Sequence, residues 1–367
     1  MKRIALGFSI LLTAGLFVLM ACNKKNNTVP EQDTEVQSAV LASYMNYVAT
    51  DVDMMISFMG ENSYLKHFYM EYPNSHLPDG TGTVTAIRGD TSGSAKQGYL
   101  RMSFNKTRCA DGRSRDGSVF LNYTVGDNDP NAKYMHSPGF SGSVKFSAFR
   151  IDSFDVNVDT SDGGYLKIRN TLPSGVYDPK KTNLTWSIDG KLKFTHIYDP
   201  RKNMTWEGHL TKILANTSST AVVVTTTTSI NWFNAVIQYK GTVMGKVPVA
   251  SENGALTPTA FNMNINNVYP LVRDFKCTPD PIGGVTYTAG NNANTGTMVA
   301  IPNQHHPFVS GVASFTIGDQ YPREIYYGNE GHASFTQGAE ATLPVTQCDN
   351  TGEVLIKGVA YRVDFMK

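Results

Sequence analysis

The chain has 367 residues, of which 41% are hydrophobic and 17% charged. A charged fraction below the usual ~25% excludes a polyelectrolyte or a disordered chain. Thirty-two Lys and Arg against 31 Asp and Glu leave a net charge of +1, so no cationic excess exists to hold nucleic acid through its phosphates.

Lys2 and Arg3 open the sequence, and an apolar run from Ile4 to Met20 follows, broken by Ser9 and Thr13. The run ends in Leu19-Met20-Ala21-Cys22. A basic start, an apolar centre and a small residue before the cut predict a secretory signal over residues 1–21. A Cys directly after the cut has the pattern of a bacterial lipobox. The Cys22 thiol would carry a diacylglycerol thioether, and cleavage would free its amine for a further acyl chain such as palmitate. An uncleaved transmembrane anchor and an ordinary signal peptide with an incidental Cys are the competing readings. The polar stretch Asn23-Lys24-Lys25-Asn26-Asn27 favours the lipid, because it suits a tether over residues 22–30. Each buried CH₂ contributes about 0.8 kcal/mol, so two or three chains hold a protein on a membrane. The expected location is the cell envelope, at the outer membrane. No acidic run follows Cys22, which favours the periplasmic face over the cell surface.

Residues 31–60 predict the one convincing helix. Val36, Val40, Leu41, Tyr44, Tyr47, Val48, Val52, Met55, Ile56 and Met59 fall at helical spacing. Glu31, Asp33 and Glu35 suit the positive end of the helix dipole. Such a stripe packs on a sheet more often than it lines a ligand groove.

From about residue 80 the period changes to two. Thr185 to Ile188 and Lys191 to Phe194 flank Asp189-Gly190, a short-range hairpin signal. Asp155 to Asp159 alternates, meets Asp162-Gly163-Gly164 and is expected to return as Tyr165 to Arg169. The β-branched run from Ala221 to Phe233 predicts another strand. Glu353 to Ile356 and Val359 to Phe365 predict a closing hairpin across Lys357-Gly358. Long loops are expected at 124–139, 170–182 and 278–303. The predicted fold is mainly β: an antiparallel meander or elongated sandwich with one N-terminal α-helix packed on the sheet. No β-α-β alternation occurs, which excludes a Rossmann fold or TIM barrel. A soft boundary near Asn216 to Ser219 divides a region 61–216 from a region 217–367, or the sheet continues through it as one domain.

The sequence resembles a group of uncharacterised lipoproteins from Bacteroidota. The shared features are the segment Cys109 to Gly117, Pro270-Leu271-Val272-Arg273 leading to Cys277, Phe308-Val309-Ser310-Gly311, Cys348-Asp349-Asn350 and the closing hairpin Val354 to Tyr361. The hairpin departs from the usual Asn-Gly turn, and 278–303 is a long insertion. The resemblance implies location and fold and implies no activity.

Signals for chemistry are sparse. His305, His306, Glu330 and His332 form the best metal constellation, but adjacent His on a strand point to opposite faces. No metal and no cofactor is therefore expected. Asp127-Asn128-Asp129 and Asp159 to Asp162 resemble fragments of calcium loops without the following Gly and distal Glu. No nucleophile elbow and no P-loop occurs, so no catalytic residue is assigned. Trp186, Trp206 and Trp232 are expected in the core rather than on a sugar platform. Arg108, Arg113 and Arg115 read as a solvated basic turn. Of the three Cys beyond Cys22, Cys277 and Cys348 are the disulfide candidates and Cys109 the remaining thiol. The functional expectation is a lipid-anchored envelope protein, more a binding or structural element than an enzyme. A carbohydrate-binding or adhesin-type module and a carrier of an apolar ligand stay open beside it. The expected partners are the membrane, through the anchor at Cys22, and an unspecified protein or glycan, with no nucleic acid.

Overall fold

A helix needs good formers and no breaker, and residues 34–59 contain neither Gly nor Pro. In the computed structural model of the chain they form α1 (Thr34–Glu61). The structure describes residues 34–61, 83–90, 97–109, 113–125, 139–160, 164–171, 184–215, 230, 232, 235–251, 253–274, 308–328 and 351–365. No described helix is long and apolar enough to cross a membrane.

Fifteen strands are described, and all join one sheet. The first eight are β1 (Thr83–Asp90), β2 (Gln97–Arg108), β3 (Ser114–Thr124), β4 (Ser141–Ile151), β5 (Phe154–Val158), β6 (Leu166–Asn170), β7 (Leu184–His196) and β8 (Met204–Leu214). A short 3-10 turn at Pro200–Lys202 joins β7 to β8. Then come β9 (Val236–Ala250), β10 (Leu256–Ile265), β11 (Leu271–Asp274), β12 (Gly311–Ile317), β13 (Arg323–Tyr327), β14 (Thr351–Ile356) and β15 (Val359–Asp364). Every pairing is antiparallel, and the path runs from β1 to β15 as a meander, not a two-layer sandwich. β8 pairs β9 along its length, so the sheet continues across the soft boundary near residue 216.

Two strand expectations need correction. Asp189-Gly190 is not a turn, because β7 runs straight through it. Leu184, Trp186, Ile188, Gly190, Leu192 and Phe194 are buried in unbroken alternation, and a two-residue type I′ turn would need positive φ at both positions. Gly190 instead admits a close neighbour: a Cβ there would lie 2.3 Å from the carbonyl oxygen of Tyr165. Nor do β5 and β6 fold back on each other. β5 pairs the second half of β7, Val158 opposite Leu192, and β6 pairs the first half, Leu166 opposite Gly190. They are one strand interrupted. The chain leaves the sheet where Asp159 N–H donates to Lys191 O at 3.0 Å. It rejoins where Lys191 N–H donates to Tyr165 O at 2.8 Å. At Gly164 a Cβ would collide with the Asp159 carbonyl oxygen, so a glycine is needed where the chain rejoins the sheet.

The closing hairpin forms as expected. Ile356 opposes Val359, and Lys357 and Gly358 take φ of 49° and 80°. The run 221–229 and the predicted loops between 126–138, 172–183 and 275–307 lie outside the described residues.

The helix is more enclosed than a one-sided stripe predicts. Every residue from Ala42 to Ser57 is buried. α1 touches the edge strands β1 and β15 as well as β2, β8, β9 and β12 in between. Among the described residues, the edges β1 and β15 do not pair with each other. The sheet therefore curls around α1 as an unclosed barrel with the helix in its interior. Register shifts mark bulges in β2, between Phe104 and Thr107, and in β4, between Ser147 and Arg150, which add local twist and bend to a sheet. The core lies between the concave face and the helix.

Candidate functional site

A helix buried on every side must satisfy its polar residues from the surrounding sheet. α1 carries Asp51 and Asp53 within its most buried part. The partners come from strands whose alternation places a cation among core residues. In β8 the buried set is Met204, Trp206, Gly208, Leu210, Lys212 and Leu214. In β3 Arg115 is in phase with Val119, Leu121 and Tyr123, and in β11 Arg273 is in phase with Leu271. These three cations point inward for the same reason their apolar neighbours do.

Arg115 Nη2 lies 2.8 Å from Asp51 Oδ2, and both side chains are almost fully buried. Lys212 Nζ lies 2.8 Å from Asp53 Oδ2. It also donates to Ser57 Oγ at 2.7 Å. The ammonium sits between two indoles, 4.9 Å from the Trp186 ring and 4.7 Å from the Trp232 ring. Burial pushes the Lys212 pKa down, against the pull of Asp53. Tyr239 OH donates to Asp53 Oδ2 at 3.2 Å. Its phenol is pushed well up, first by burial and then by the Asp53 charge. Arg273 Nη2 donates to the Tyr47 carbonyl at 3.1 Å and stacks on the rings of Tyr47 and Phe308. Ser43 Oγ and Tyr327 OH share a hydrogen bond of 2.8 Å. Near the start of α1, Arg323 grips Glu35 with two nitrogens, Nη2 to Oε1 at 3.1 Å.

A second cluster marks the end of the barrel where the first turns of α1 emerge. Arg113 Nη1 lies 2.6 Å from Asp152 Oδ2. Asp152 also accepts from Ser114 N–H at 3.2 Å and from Tyr44 OH at 3.5 Å. The Arg113 guanidinium lies over the rings of Tyr44 and Tyr47 at 5.1 and 5.6 Å. Above this cluster opens a cavity of about 490 Å³. Val40, Leu41, Phe154, Pro248 and Leu256 supply apolar wall, and His196 and Lys202 supply polar rim. His196 Nδ1 accepts the N–H groups of Tyr198 and Asp199 at 3.2 and 3.0 Å. In the neutral ring the proton therefore sits on Nε2, which is left as a donor.

The basic turn expected at 108–115 is corrected by this arrangement. Arg113 and Arg115 are buried and reach α1 and its surroundings rather than solvent. An ionised pair offsets a desolvation that a lone cation could not. The three tryptophans lie in the core, each at most 2% exposed, and offer no stacking face. Cys109 is buried, with its Sγ 3.9 Å from Thr107 O. Segments singled out in the sequence converge on the helix. Arg113 and Arg115 belong to the first, Arg273 to the second, and Phe308, 5.0 Å from the Arg273 guanidinium, to the third. Cys22, Cys277, Cys348, His305, His306, Glu330 and His332 lie outside the described residues, as do Asp127-Asn128-Asp129. Among the described residues, no three His, Cys, Asp or Glu side chains gather to hold a metal. Lys212 and Arg273 were not singled out by spacing. Their signal is a basic residue in phase with an apolar strand face; Lys212 meets Asp53 of α1 and Arg273 meets the Tyr47 carbonyl.

No family model matches the chain, and no curated protein or solved structure is similar to it.

Proposed function

We propose that the chain is a lipid-anchored protein of the cell envelope with a binding or structural role rather than a catalytic one. The observation behind the non-catalytic reading is where the buried charges go. Asp51, Asp53, Arg115 and Lys212 are committed to holding α1, and none of them lines the cavity. An ionisable pair sealed from solvent and substrate can set the position of a helix but cannot exchange protons with a ligand. The anchor rests on Leu19-Met20-Ala21-Cys22 after an apolar run. Mass spectrometry of membrane-extracted protein is expected to find acyl chains on Cys22, and Cys22→Ser should release the protein from the membrane fraction. A Cys22→Ser protein that stays in the membrane would overturn the anchor. Protease shaving of intact cells tests the periplasmic face, where protection is expected.

A second reading, a glycan-binding module, is favoured by a separate depression of about 460 Å³. Tyr99, 43% exposed, stands there beside Gln97, Asn122, Ser143 and Lys167. An exposed ring among amide, hydroxyl and ammonium groups suits a sugar face. A glycan array that returns hits lost on Tyr99→Ala would support it; an empty array would remove it.

A further inference from the structure

α1 fills the interior of the curled sheet, so a carrier of the usual barrel kind, with ligand along its axis, does not fit this chain. The space that remains is the cavity where α1 emerges. We propose that this cavity binds one single-chain anionic amphiphile, an acyl carboxylate, with its chain against α1 and its head at Lys202 and His196. Four observations carry this.

The first is shape. About 490 Å³ falls within the ~300–1,000 Å³ of small-molecule sites, and it is too small for a folded partner. The second is the wall. Val40 and Leu41 from α1, Phe154 after the β4–β5 turn, and Pro248 and Leu256 from β9 and β10 surround it with carbon. The third is charge. Of the ionised groups at the cavity, Arg113 and Lys202 are cations and Asp152 is an anion. Arg113 already neutralises Asp152, and both Asp152 oxygens are engaged by Arg113, Ser114 N–H and Tyr44 OH. Asp199, the acid that also feels Lys202, is already gripped by Arg201, so the exposed Lys202 leaves the rim net positive and the cavity favours an anion over a cation. The fourth is the histidine. With Nδ1 fixed by two backbone N–H groups, His196 offers Nε2–H to an acceptor. A carboxylate with two oxygens can take Lys202 and His196 together.

Supply follows from the anchor and rests on that reading, although the site does not. Cys22 precedes Thr34 by twelve residues, which span at most about 40 Å when fully extended. A lipidated Cys22 therefore holds the start of α1, and the cavity beside it, within reach of the membrane that contains such amphiphiles.

The test uses the mature chain carrying Cys22→Ser and three probes of equal chain length: palmitate, hexadecyl phosphate and hexadecanol. Calorimetric titration is expected to show palmitate binding once per chain and hexadecanol binding about tenfold or more weaker. Lys202→Glu, an exposed change that leaves the core alone, should weaken palmitate about tenfold and leave hexadecanol unchanged. Leu256→Trp should occlude the cavity and weaken both. Hexadecyl phosphate as the tightest probe would keep the site but reassign the head group to a phosphate, overturning the carboxylate. Equal binding of palmitate and hexadecanol, or binding that neither variant alters, would overturn the site. So would no binding at all. Membrane release of Cys22→Ser is read separately, so a failed anchor and a failed site give different results.

Discussion

Lys212 and Asp53 allow a decisive test of what holds α1 inside the sheet. Lys212→Met keeps a linear side chain between Trp186 and Trp232 but removes the ammonium 2.8 Å from Asp53. The carboxylate then stays about 1% exposed, with Tyr239 OH at 3.2 Å as its remaining side-chain donor. Removing one partner of a buried pair costs about 3–5 kcal/mol, because the other charge is left in an apolar site. Unfolding entropy runs near 2.1 cal/mol/K per residue, so a domain of roughly 330 residues has an entropy of about 0.7 kcal/mol/K and the single variant should lose about 4–7 °C in Tm. The double variant Asp53→Leu with Lys212→Met removes both charges. It should recover most of that loss, since well-packed apolar replacements of a buried pair are often neutral or stabilising. Urea unfolding followed by tryptophan fluorescence and by circular dichroism measures both effects, and Trp186 and Trp232 report directly from the site. The reasoning fails if Lys212→Met costs less than about 1 kcal/mol, or if the double variant is no more stable than the single one.

Alkaline stability is set by phenols. Burial pushes Tyr44, Tyr239 and Tyr327 above their ordinary range. A folded-state pKa above the unfolded value gives stability that is complete below about pH 10 and lost as pH rises further, because the unfolded chain sheds those protons first. Their tyrosinate absorbance should therefore appear together with the loss of circular dichroism; ionisation of every tyrosine in a still-folded chain would contradict the burial. Lys212 acts oppositely, since its lowered pKa makes the native state gain relative stability as pH climbs towards 10.5. Lys357 takes a left-handed backbone in the closing turn, a conformation that Asn adopts more readily, so Lys357→Asn should stabilise the protein by about 0.5–1 kcal/mol in thermal unfolding, and a destabilised variant would dispute the turn type. Cys109, fully buried, should resist thiol reagents until the chain unfolds. In the Cys22→Ser chain, one thiol titrating in denaturant supports a Cys277–Cys348 bond, and three titrating thiols remove it.

The fold was legible where local and global rules agree. A breaker-free apolar run gave α1, and a two-residue turn with Gly second gave the β14–β15 hairpin. Asp189-Gly190 carried the same local signal and meant something else, because its flanking residues stay in one phase and glycine was needed for a passing backbone. Asp162-Gly163-Gly164 misled in the same way. A loop that leaves and rejoins a strand in the same direction has the composition of a reversal, and register alone distinguishes them. The ionic core was legible in principle, through Lys212 and Arg273 in phase with buried residues. Which acid meets which base depends on how α1 lies in the barrel, and no spacing encodes that. The cavity gathers residues from α1, the residue before β3, the β4–β5 turn and the start of β5, β7, the 3-10 turn, β9 and β10, and leaves no local pattern.

The enclosed helix has a consequence for how the chain comes to be folded. Ser43 meets Tyr327 across 284 positions and Glu35 meets Arg323 across 288. α1 is synthesised before every described strand, yet its partners Arg323 and Tyr327 on β13 come about 280 residues later. Closing loops of that length is entropically slow. First of the described elements to be made and among the last to be sealed, α1 reaches its native setting only once β13 has been added to the chain.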